Sequence, residues 1–203
     1  ERRLHVRVLD SNVANFGVSN LIVAIKDDLK AKMPAADIYR HLVALTDSTK
    51  QIWTLGSLKY LYNGGRLSRL SFLVGTVLRI KPIIGLSNED GKLHVEKKVR
   101  TFSEVDNYFL SQIREMVASY AKVYIRFINL GEEDQVINFR EKVLKEFPGL
   151  VATSVSEVGP LFTIHLGRNG YGFTAVGDKP LGDDEHGESK GFRKLFDKLT
   201  GKE

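Results

Sequence analysis

Apolar and polar residues alternate over residues 3–9, where Leu4, Val6 and Val8 are set against Arg3, His5 and Arg7. A period of two belongs to a strand with one buried face, so a strand is expected here, followed by a turn at Asp10-Ser11-Asn12. The period then changes. Val18, Leu21, Ile22, Ile25 and Leu29 recur at helical spacing between Phe16 and Met33, and a second helix after Pro34 carries Ile38, Leu42 and Leu45 on one face. Residues 50–56 read as another strand. This strand, helix, helix, strand order fits a parallel α/β layer whose crossover helices cover the sheet. Two strands do not make a stable sheet alone, so residues 1–55 are expected to be the C-terminal part of an N-terminal α/β domain.

Beyond Gly64-Gly65, residues 70–78 read as a short apolar helix and Ile80-Lys81-Pro82-Ile83-Ile84 begins a new pattern. Asn88-Glu89-Asp90-Gly91 signals a hairpin, because Asp-Gly readily adopts the positive φ angles of a tight turn. Residues 92–100 then alternate, with Leu93, Val95 and Val99 opposite His94, Glu96, Lys98 and Arg100, which predicts one wet, basic face. Thr101-Phe102-Ser103-Glu104 is a capping box, and it opens a helix with Phe102, Val105, Phe109, Ile113, Met116 and Tyr120 in one stripe. A strand at 123–130 follows. Glu132, Glu133 and Asp134 suit the positive end of a helix that buries Val136, Phe139, Val143 and Phe147 before Pro148-Gly149 stops it. Residues 151–158 and 171–176 are two further strands. The expected fold is α/β plus α+β: a partial parallel layer, then a mostly antiparallel α+β domain over residues 56–178.

Residues 179–203 read as an acidic linker (Asp183, Asp184, Glu185, Glu188) and a short basic amphipathic helix. In that helix Phe192, Leu195, Phe196 and Leu199 recur beside Arg193, Lys194 and Lys198. Two readings stand for this helix: docking on a protein surface, or transient contact with a membrane surface.

The 203 residues are 42% hydrophobic and 27% charged, the balance of a globular chain, and no apolar run is long enough to span a bilayer. Neither a signal-peptide core nor a cysteine occurs, which leads us to expect a cytoplasmic protein and excludes disulfides, thiolate catalysis and thiolate-ligated zinc or iron. A formal charge of +5 permits an anionic partner without choosing one. Nucleic acid is the least favoured, since no helix or aromatic strand carries a dense basic stripe.

His5, His41, His94, His165 and His186 are scattered, so no metal site is expected. Gly187-Glu188-Ser189-Lys190-Gly191 matches a nucleophile elbow only in letters, because a charged linker precedes it where a buried strand is required. Gly170-Tyr171-Gly172-Phe173-Thr174-Ala175 matches a loose dinucleotide fingerprint, but it reads as a turn entering a strand rather than a strand entering a helix. Gly64-Gly65-Arg66-Leu67-Ser68-Arg69 carries more information. Its glycines admit a close neighbour and its arginines fix positive charge, or else the segment is a helix C-cap with solvated arginines. His165, alone between apolar residues and glycines, reads on spacing as a structural histidine.

Three segments read together carry a resemblance: Leu58-Lys59-Tyr60-Leu61-Tyr62-Asn63-Gly64-Gly65-Arg66-Leu67-Ser68, then Ile80-Lys81-Pro82-Ile83-Ile84, then Val158-Gly159-Pro160 leading to His165 and Gly167. In order and separation they resemble the DegV family, the bacterial fatty-acid-binding proteins that serve as the lipid-carrying subunit of fatty acid kinase. The likeness extends over about residues 8–177. It implies a long-chain fatty acid held in a buried tunnel between two domains and presented by its carboxylate to a separate kinase. The protein itself would catalyse nothing and use no cofactor. By the same resemblance His165 matches the carboxylate-neighbouring histidine, and Arg66 and Arg100, with Arg69 beside them, match the arginines of the kinase-facing surface. Phe72, Leu73, Val74, Val77, Leu78 and Phe162 are the expected tunnel lining. The resemblance also implies a longer N-terminal portion whose hydroxyls help hold the carboxylate. This sequence departs from the family at Gly167-Arg168-Asn169-Gly170, where Gly-Pro-Gly is usual. The rival reading is a dihydroxyacetone-kinase-like enzyme that binds a small phosphorylated substrate through Arg66, Arg69 and Arg100.

Overall fold

A six-stranded mixed sheet runs through the computed structural model, which describes residues 6–66 and 80–180, the side chains of 152–154 and 180 excepted. Its strands are β1 (Thr49–Thr54), β2 (Lys81–Leu86), β3 (Leu93–Val99), β4 (Tyr120–Leu130), β5 (Val151–Glu157) and β6 (Gly170–Pro180). Their order is β3-β2-β1-β6-β4-β5, and only β4 and β5 are parallel. β6, with a partner on both edges and cover on both faces, is buried along nearly its whole length.

The described residues form seven helices: α1 (Phe16–Ala24), α2 (Lys26–Lys30), α3 (Ala35–Asp47), α4 (Lys59–Asn63), α5 (Phe102–Ser119), α6 (Glu133–Glu146) and α7 (Pro160–Leu166). The period-2 alternation of the strands divides the core between two faces. On one, α5 and α6 pack Phe109 and Phe139 against Phe127, Tyr171 and Phe173, with ring centroids 5.5 to 6.0 Å apart and mostly edge-on. The Tyr171 hydroxyl donates to Asp106 at 2.5 Å, and Lys142 binds the same carboxylate at 2.5 Å. Burial, then that carboxylate, push the Tyr171 phenol far above its usual range. On the opposite face, α1 and α3 cover Tyr124 and Val176, while α4 and α7 cover Trp53, Ile84, Ile128 and Leu130.

The mixed α/β class is as expected, and the capping box is complete: Thr101 accepts from the Glu104 amide while Glu104 accepts from the Thr101 amide. Thr101→Ala is expected to cost about 1 kcal/mol in urea unfolding, the ordinary value of an N-cap. Three expectations need correction, and one helix comes in addition. Residues 6–10 form no strand, and Val6 and Val8 are 80% and 85% exposed, because no described segment pairs with them. The strand expected at 50–56 is β1, but it runs antiparallel to both β2 and β6 rather than in a parallel layer. Residues 160–166, to which the sequence pattern assigns no element, form α7. Its start and stop follow Pro160 at the first helical turn and Gly167 beyond the last. The clean alternation of 92–100 is interrupted by a bulge: Ile83 faces Lys97 and Ile84 faces Val95, which leaves Glu96 as the extra residue. Glu96 is thereby free to accept from the Tyr108 hydroxyl at 2.8 Å and to meet His94 Nε2 at 3.0 Å. The helices expected at 70–78 and in the C-terminal tail lie outside the described residues.

Candidate functional site

Two short helices, distant in sequence, meet over the apolar cluster of Trp53, Leu55, Leu61, Ile84, Ile128, Leu130 and Leu166. α4 buries Leu61 completely and leaves Tyr60 and Tyr62 about half exposed. Gly64 and Gly65 close it, their amides bonding to the Tyr60 and Tyr62 carbonyls, and the Arg66 amide returns to the Leu61 carbonyl at 3.0 Å. The Gly64-Gly65-Arg66 segment is therefore a helix C-cap, with Arg66 exposed and its Nη1 donating to the Gly64 carbonyl at 2.5 Å. The C-cap geometry and the close neighbour prove to be the same feature. A Cβ on Gly64 would lie 2.8 Å from His165 Nδ1, so the missing side chain is what lets the imidazole settle onto the motif.

α7 presents three kinds of surface. Leu166 is buried and Phe162 packs against the same apolar cluster. Leu161 and Ile164 face outward, 70% and 67% exposed. His165 is half-buried between them, with an Nδ1 that is shut off from solvent and has no hydrogen-bond partner among the described residues. An imidazole nitrogen so placed lacks the bond that ordinarily compensates its burial.

The structure thus brings together Arg66, Phe162 and His165. Arg100 lies elsewhere, exposed in the turn between β3 and α5, where its backbone amide donates to Glu104 at 3.0 Å. Glu104's carboxyl is held below the usual range by that bond first and by the Thr101 hydroxyl and amide next. Arg69, Phe72, Leu73, Val74, Val77 and Leu78 lie outside the described residues. At the departure from the family pattern, Arg168 lines a groove of about 630 Å³ at the ends of β4 and β5, with Asn129, Gly131, Glu157 and Pro160 around it. Gly170-Tyr171-Gly172 opens β6 and does not lead from a strand into a helix. Among the described residues no group of three or more His, Asp or Glu side chains could hold a metal, and no helix is long and apolar enough to cross a membrane.

One charged residue on this face was missed by the reading of motifs. Arg126 stands inside β4, between apolar Ile125 and Phe127, and is half-buried. The available signal was that isolation: a lone charge within the run from Val123 to Ile128.

Comparison with known proteins places this geometry in context. A family model described as an uncharacterised protein, DegV family, matches residues 2–178. A DegV domain-containing protein of Staphylococcus aureus is 26% identical over 175 residues, covering 85% of this chain and 61% of the relative. The chain thus spans about three-fifths of the length of the curated relatives it matches. Two solved structures share the fold. A fatty acid binding DegV family protein from Streptococcus agalactiae has a TM-score of 0.76 at 22% identity, over 87% of this chain and 61% of that one. A DegV family protein from Eubacterium eligens, loaded with heptadecanoic acid, has a TM-score of 0.73 at 19% identity, over 86% of this chain and 62% of that one.

Proposed function

Since the chain belongs to the DegV family, we propose that it is part of a carrier for a long-chain fatty acid, which it holds along the α4–α7 apolar cluster with the carboxylate next to His165. The observation that carries this reading is the solvent-shielded, unpartnered Nδ1 of His165, held on Gly64 beside an apolar surface. Burying about 14 methylenes at about 0.8 kcal/mol each offers on the order of 11 kcal/mol before ordering and association costs. A carboxylate at the mouth of such a site needs a donor, and an imidazole N–H is one. Exposed Arg66 and Arg100 then serve a partner kinase that phosphorylates the carboxylate, while this chain binds and presents.

The reading is tested by organic extraction of the purified protein with mass spectrometry of the extract, followed by hexadecanoate titration. A stoichiometric fatty acid is expected. His165→Ala is expected to weaken hexadecanoate binding by roughly ten- to a hundred-fold, the worth of one charge-assisted hydrogen bond. Arg66→Ala and Arg100→Ala should keep the lipid and lose only kinase coupling. Folded protein that yields no lipid and takes none up would defeat the carrier reading.

A further inference from the structure

We propose that Arg126, with the N-terminus of α1 beside it, forms a carboxylate-binding site under α1. Its guanidinium Nη1 donates to the Ser156 hydroxyl at 2.9 Å, and its Cζ lies 5.5 Å from the centre of the Phe16 ring. The Nε–H is buried without a partner, and no acidic side chain among the described residues pairs with the group. A guanidinium is a fixed positive charge, and a half-buried one whose Nε–H has no acceptor is stabilised by a counter-charge.

The second observation is what lies next to it. Phe16 is the first residue of α1, a nine-residue helix with no acidic residue in its first turn and no side-chain cap from Asn15. The Gly17 and Val18 amides already bond to the Ala14 and Asn15 carbonyls at 2.9 and 3.2 Å, so what α1 adds at this corner is the positive end of its aligned peptide dipoles beside the Arg126 charge. An anion there is attracted by both.

The third observation is the polar row beneath. Arg126 stands opposite Thr174 across β4 and β6, and Thr174 stands opposite Gln51 across β6 and β1. Directly paired residues share a face, which places all three under α1. Gln51 clamps the chain ahead of the helix, its amide bonding to the Ala14 N–H at 2.9 Å and to its carbonyl at 2.8 Å. Asn20, from α1, donates to the Thr174 carbonyl at 2.9 Å. Asn20 and Thr174 are fully buried, yet Asn20 Oδ1 and Thr174 Oγ1 have no partner among the described residues. An oxyanion would accept from Arg126 Nε–H and Thr174 O–H, and a water on that oxyanion would donate to Asn20 Oδ1.

Phe16 also packs against the apolar cluster of Trp53, Leu61 and Leu166, so the site borders apolar surface. The carboxylate therefore comes either from an amphiphilic ligand, a source that rests on the lipid-carrier reading, or from an Asp or Glu side chain of another polypeptide segment. The charge argument itself is independent of that reading.

The test follows the Arg126 Nε–H signal in nitrogen-15 NMR, assigned by its loss in Arg126→Gln. The probe is acetate, titrated at constant ionic strength. A saturable shift of that signal, absent from exposed arginines such as Arg66 and preserved in His165→Ala, is expected. Hexadecanoate but not hexadecanol moving the same signal identifies the amphiphile as the source. A response to acetate with none to hexadecanoate identifies a protein carboxylate instead, and leaves the site standing even if the carrier reading fails. No response to acetate, or a linear one shared by every arginine, overturns the proposal. The wild-type titration alone decides between these outcomes. If Arg126→Gln does not fold, Arg126→Lys supplies the assignment.

Discussion

Replacing His41 by Ala is expected to lower the unfolding free energy by about 3 kcal/mol near pH 6, because it leaves two carboxylates facing each other in a poorly solvated place. The imidazole of His41, on α3, meets Asp28 of α2 at 2.5 Å through Nδ1 and Asp178 of β6 at 2.9 Å through Nε2. Its side chain is 22% exposed, and those of the two acids 15% and 7%. Carboxylates only accept, so both ring nitrogens act as donors here, which only the imidazolium allows. The bond to Asp178 raises the His41 pKa above 6.5, and Asp28 adds to it, although burial opposes both. Burial likewise works against charge on Asp178, but His41 outweighs it, with Lys179 and Lys122 in support, and the carboxyl lies below its usual range.

The pH dependence follows from these directions. Stability from the raised His41 is complete below pH 6.5 and is lost as pH rises through its folded value. Stability from the lowered Asp178 is present above pH 3.8 and is lost as pH falls through its folded value. Urea unfolding from pH 4 to 9 should therefore show a wild-type advantage over His41→Ala that is greatest between those limits and shrinks toward alkaline pH. A constant difference from pH 5 to 9 would mean that the ring stabilises the fold as a neutral packing group.

Neither His41 nor Arg126 could be assigned a role from sequence, and the reason is physical. The His41 partners lie 13 and 137 positions away, and Arg126 meets Phe16 and Thr174 only once β4, β6 and α1 are assembled. Local devices were legible. The capping box at Thr101, the Asp90-Gly91 turn and the helical stripe from Phe102 to Met116 depend on neighbours within a few residues and appear in the fold, whereas Tyr120, expected in that stripe, opens β4. Strand direction was not. The helices before β1 suggested a parallel crossover, whereas β1 pairs antiparallel with β2 and β6, whose positions are set by contacts far along the chain. The Glu96 bulge escaped for a similar reason: alternation within one strand does not report how that strand registers with its partner. At the site, the glycine motif and His165 could each be singled out, but their contact depends on a seven-residue helix that periodicity is too short to reveal.

That contact makes Gly167 the position where a single methyl group should do most damage to the site. Gly167 ends α7 at φ 76° and ψ −168°, a region in which side-chain-bearing residues are strained by about 1–3 kcal/mol. Its Cβ would also fall inside the van der Waals surface of the Tyr60 ring on α4. Gly167→Ala is thus expected to cost about 3 kcal/mol, part backbone strain and part displacement of Tyr60. The two parts separate in a double-mutant cycle. Tyr60→Ala removes the ring, so the double variant should recover about 1 kcal/mol of the clash and none of the backbone strain. Hexadecanoate affinity should follow the clash: weakened in Gly167→Ala, where α7 is pushed from α4 and His165 from Gly64, and partly restored in the double variant. Affinity unchanged around the whole cycle would show that the α4–α7 contact holds the fold together without shaping the ligand site, and the carboxylate anchor would then have to be sought away from His165.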